Sequence, residues 1–118
     1  MISDSIREKA LALASEIMDA EEYRDMRAKE EILKGDSEAQ SLLADFQQKQ
    51  QDFITKRMRG EVDQELIGEI TKIQSELEKR ESVVNFIDSY GKFINFLGEV
   101  GDVISRELNF DFGEVYRK

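Results

Sequence analysis

The sequence predicts an all-α fold, an elongated bundle of about five helices that ends in a long C-terminal helix. Three observations predict it. Apolar residues recur at steps of three and four almost from end to end. No proline interrupts them. The chain is also 36% charged and 40% apolar, the composition of helices with one buried stripe and a wet outer face.

Each element follows from its own punctuation. Ser3 or Asp4 caps a first helix whose Ile6, Ala10, Leu13 and Ile17 share a face. Asp19, three residues before Glu22, has capping-box spacing and opens a second helix, with Tyr23, Met26 and Leu33 inward and its end at Gly35. Asp36 caps a third, striped by Ala39, Leu42, Leu43, Phe46, Gln50, Phe53, Ile54 and Met58 and closed by Gly60. A fourth begins at Glu61 or Asp63 and carries Val62, Leu66, Ile70, Ile73 and Leu77. The boundary with the fifth lies near Ser82, although the pattern can also run on unbroken into Val84.

The fifth segment keeps threes and fours going from Val83 through Phe86, Ile87, Tyr90, Phe93, Ile94, Leu97, Val100 and Ile104 to Leu108. Such a helix is about 39 Å long, against a radius of gyration of about 13 to 14 Å for a globule of this chain length. An elongated molecule, or one that lends part of this helix to another subunit, is the expectation. Gly91, Ile94, Gly98, Gly101 and Ser105 form a stripe of small residues beside the large apolar one. Each interior glycine costs up to about 1 kcal/mol relative to alanine. The stripe reads as a helix crossing, within the bundle or between subunits; the alternative is glycine tolerated on a wet side. The tail NFDFGEVYRK, with Phe110 and Phe112 beside Gly113, is expected to fold back as a short cap.

Four absences narrow the chemistry. The 118 residues contain no Cys, His, Pro or Trp, which excludes disulfides, thiolate metal sites, Cys or Ser/His nucleophilic machinery and imidazole proton shuttles. Carboxylates alone remain. Glu61, Asp63, Glu65 and Glu69 read as the acidic first turn of a helix rather than a hard-metal site, since EF-hand spacing is absent. Gly98 and Gly101 sit within helical periodicity, so they make no phosphate-cradling loop. An enzyme is not expected, and neither is a cofactor or metal. Phe86, Tyr90, Phe93 and Phe96 read as core or subunit interface rather than a stacking platform.

Bulk charge narrows the partners. The chain carries 26 acidic and 17 basic residues, a net charge of −9 that repels phosphate backbones and anionic lipid. The basic group Lys56, Arg57 and Arg59 is the one candidate RNA contact, and otherwise the solvated end of a helix. The amino terminus shows no signal-peptide pattern, and no stretch reaches the roughly 20 apolar residues of a membrane span. A cytoplasmic protein without membrane contact is the expectation.

Two blocks carry a family resemblance: ALALASEIMDAEEYRDMRAKEEILKGDSEAQSLLADFQ from Ala10 to Gln47, and SVVNFIDSYGKFINFLGEVGDVISREL from Ser82 to Leu108. Their matching positions are Leu11, Ile17, Glu22, Tyr23, Ala28, Leu33, Asp36, Ala39, Leu42, Leu43 and Phe46, then Val84, Phe86, Ser89, Phe93, Phe96, Leu97, Val100, Ile104 and Leu108. Over nearly the whole chain this resembles the YlbF/YmcA family of small all-helical bacterial proteins. The resemblance implies one YlbF/YmcA-like helical domain, 1–118, in a dimeric cytoplasmic regulator. Such relatives assemble with partner proteins and influence competence, sporulation, biofilm development and RNase-linked mRNA maturation. Two departures matter: this chain has no cysteine to ligate the iron–sulfur clusters of some relatives' complexes, and Ser82 and Val83 stand where the family often has proline. The expected function is a non-catalytic protein–protein interaction module, a homodimer through Phe86, Tyr90, Phe93, Ile94, Leu97, Gly98, Gly101 and Ile104. The alternative is an RNA-processing accessory factor that touches RNA directly.

Overall fold

Serine or aspartate caps open three of the five helices of the computed structural model, which describes residues 1–111. In order they are α1 (Asp4–Asp19), α2 (Glu21–Lys34), α3 (Ser37–Met58), α4 (Gln64–Lys79) and α5 (Glu81–Leu108). The expectation for Phe112 and Gly113 falls outside the described residues.

Ser3 opens α1, its Oγ accepting from the Ile6 N–H at 3.2 Å. Asp19 does not cap α2: its carboxylate accepts from the Arg24 guanidinium at 3.3 Å, and extended Ala20 separates the two helices. Asp36 and Asp63 cap α3 and α4, accepting from Ala39 N–H at 3.1 Å and Leu66 N–H at 3.0 Å. Helix α3 closes at Gly60, φ +79°, where the Glu61 N–H reaches back to the Lys56 carbonyl at 3.0 Å. That six-to-one bond with a left-handed residue is the Schellman arrangement. At Arg80 the backbone turns extended, φ −84° and ψ 124°, so α4 and α5 are separate helices. The 28 residues of α5 span about 42 Å, and Asn109, φ 52°, ends it.

The chain divides into two units. In Lys29–Ile87, α3 packs on α4 around a core of Leu33, Ala39, Ile73, Leu77 and Val83, with Leu42, Leu43, Phe46 and Phe86 against it. Burying each large apolar side chain contributes roughly 1.5 to 3 kcal/mol. A polar clamp holds one end of this unit together. Arg80 grips Asp36 with Nε at 3.2 Å and Nη2 at 2.9 Å, and Ser82 Oγ donates to the same carboxylate at 2.6 Å. The start of α3 is thereby fixed to the α4–α5 junction.

The other unit joins Met1–Ala28 to the chain from Asp88 onward. Met26 is buried, and the Tyr23 ring meets Phe93 edge-on with centroids 5.5 Å apart. Phe93 in turn stacks on Phe96 at 6.3 Å. Helix α1 buries no residue, and of its expected inner face only Ile17 is even half-buried.

Candidate functional site

The expected interface lies on α5, and the structure sorts its residues by direction. At 100° per residue, Phe93, Leu97 and Ile104 fall on one side of the helix, where all three are half-buried. Phe86 is also half-buried and packs on the core of the Lys29–Ile87 unit. Tyr90 and Ile94 fall on the adjoining side and are 48% and 44% exposed. Gly91, Gly98 and Gly101 lie on that same side and are half-buried.

These glycines separate the two versions of the crossing. Among the described residues, a Cβ added at Gly91 or Gly101 would meet no atom within 4 Å, so no other described helix packs closely at either position. A crossing inside the bundle at these two positions is overturned. What remains on α5 is a strip without charge, flanked by exposed Asp88, Lys92, Glu99, Asp102 and Arg106. Ser105, also on the strip, has a solvent-shielded hydroxyl with no hydrogen-bond partner among the described residues.

The basic group at the end of α3 is partly committed elsewhere. Lys56 Nζ donates to Asp63 Oδ2 at 2.6 Å, which raises the lysine pKa and lowers that of the aspartate. Arg57 and Arg59 are exposed. Asp63 thus serves both as a helix cap and as an ion-pair partner. Among the described residues no group of three or more carboxylates is placed to hold a metal ion. No helix among them is long and apolar enough to cross a membrane.

Sequence reasoning found the Asp36 cap but missed its second role. The Ser82 hydroxyl and the Arg80 guanidinium, with the Ala39 N–H, pull the Asp36 pKa from the ordinary 3.8 to about 2. Arg80 stands 44 positions from Asp36, and no local pattern signals a contact at that separation. Nor did spacing foretell which half of the α5 stripe its own chain would cover.

Comparison with known proteins agrees with this architecture. A chain of the X-ray structure of Bacillus subtilis RicA in complex with RicF superposes with a TM-score of 0.81 at 21% identity, covering 92% of this chain and 96% of that one. A UPF0342 protein of Desulfitobacterium hafniense is 27% identical over 107 residues, 90% of this chain and 82% of the relative. The family described as control of competence regulator ComK, YlbF/YmcA, matches residues 6–109. The chain is a member of the YlbF/YmcA family.

Proposed function

We propose that this protein is a non-catalytic regulatory module that works by assembling with other polypeptides, and that residues 1–118 act as one domain. The match of one family to residues 6–109, across both units, supports the single domain. A second copy covers the α5 strip around Tyr90, Ile94, Gly98 and Gly101, with Phe86, Phe93, Leu97 and Ile104 supporting it from behind. The acidic outer faces then meet regulatory partners in the cytoplasm, in the control of competence and the linked programmes of sporulation and biofilm formation.

One observation carries this reading: Ile94 and Tyr90 stand exposed beside Gly91 and Gly101, where an added Cβ would meet nothing within 4 Å among the described residues. A charge-free strip of that kind, half-buried but with Ile94 and Tyr90 reaching solvent, suits an interhelical contact between molecules. The similar structure of RicA in complex with RicF supports assembly with another polypeptide in general. Light scattering tests it. The native chain is expected at twice its 13.7 kDa mass, and Ile94→Glu is expected at the single mass with its helix content unchanged. A native chain that stays monomeric throughout the micromolar range contradicts the dimer.

A further inference from the structure

The geometry points to an antiparallel, two-fold pairing of α5 with α5 of a second copy, centred beside Leu97 and Gly98. It rests on the dimer reading above and specifies how the two helices meet. Six exposed residues line one edge of the strip: Asp88, Lys92, Asn95, Glu99, Asp102 and Arg106. When two helices run antiparallel about a two-fold axis lying between them, this edge faces the same edge of the second copy. Residues equally distant from the axis then stand opposite each other.

An axis at Leu97 sets Asp88 against the second copy's Arg106, Lys92 against its Asp102, and Asn95 against its Glu99. Symmetry repeats each contact. Every charge on the edge thus meets an opposite charge or an amide donor. The same axis lowers Ile94 over the gap between Gly98 and Gly101 of the other helix. There a Cβ on Gly101 itself would touch nothing within 4 Å, and Ile94 is 44% exposed. Charge and shape therefore choose one register independently.

The alternatives fit less well. A parallel pairing puts each residue level with its own twin, leaving Asp88 about 27 Å along the axis from Arg106. The edge is complementary to its own reversal, a pattern that a second copy requires and an unrelated partner does not. Asp88 and Lys92 already pair within the chain at 3.3 Å, both 68% exposed, and remain free to reach across.

The absence of cysteine makes the register directly readable. Ile94→Cys and Gly101→Cys chains, mixed and oxidised, are expected to form a disulfide-linked dimer. Neither variant links to itself, because twin positions lie about 9 and 12 Å apart along the axis and a disulfide spans Cα atoms no more than about 7 Å apart. Asp88→Arg or Arg106→Asp alone is expected to weaken the dimer about tenfold by light-scattering titration, and the two together to restore it. Self-linking of either cysteine variant overturns the antiparallel register, as does a mixture that stays unlinked or a double reversal no tighter than the singles. If the native chain is still dimeric in those cases, the dimer reading survives. A native chain that is monomeric removes both.

Discussion

Asp36 joins three jobs in one carboxylate: it caps α3, accepts from Ser82 and anchors Arg80. Its pKa falls to about 2 because those donors stabilise the charged form. A carboxyl depressed by folding contributes stability that is fully present above its ordinary pKa of 3.8 and is lost as pH falls toward 2. Melting temperature is therefore expected to drop between about pH 4 and 2, and Asp36→Asn to flatten that part of the profile. An unchanged slope in the variant would show that other carboxylates govern it. Gly60 sets a second residue-scale expectation. At φ +79° it holds a conformation that strains any Cβ. Gly60→Ala should lower stability by about 1 kcal/mol in urea titration, although nothing crowds the site.

At the scale of elements, α4 shows how amphipathicity is used. Leu66, Ile73 and Leu77 are buried, while Gly68 lies on the exposed side with nothing within 4 Å of an added Cβ. Gly68→Ala should raise stability by up to about 1 kcal/mol, since alanine removes backbone freedom from the unfolded chain and fills only water. Leu77→Ala should lower it by about 2 to 4 kcal/mol, because Leu77 is 7% exposed amid Leu33, Ile73 and Val83. Paired urea titrations of the two variants check both signs. The helices themselves were legible: caps at Ser3, Asp36 and Asp63, the stop at Gly60, and the inward Met26 and Leu33 all stand as the sequence indicates. The α1–α2 junction was not. There Arg24 draws Asp19 away from capping, and a side-chain competitor of that kind leaves no mark in a four-residue pattern.

For the whole molecule, the consequence lies in assembly. If the α5 strip is closed by a second copy, folding and association are linked, and the melting temperature rises with protein concentration. The native chain is expected to show that rise and Ile94→Glu to lose it, over a hundredfold range in calorimetry. A native melting temperature independent of concentration would separate stability from association. The net charge of −9 acts at this scale too. It sets a general repulsion between copies, which the proposed contact at a charge-free strip with matched edges would have to overcome.

The sequence by itself determined the helical periodicity, the caps at Ser3, Asp36 and Asp63 and the residue types that are missing, because periodicity, capping and residue inventory are local properties. It also carried enough apolar spacing to reveal the family. Only the tertiary structure decided that Arg80 breaks α4 from α5 and clamps Asp36, that Phe93 turns to Tyr23 while Ile94 stays exposed, and that no other described residue comes within 4 Å of a Cβ added at Gly91 or Gly101. The physical reason is common to all three. A stripe wide enough to be buried on two sides looks the same in sequence whether one side or both are covered, and burial depends on neighbours distant along the chain.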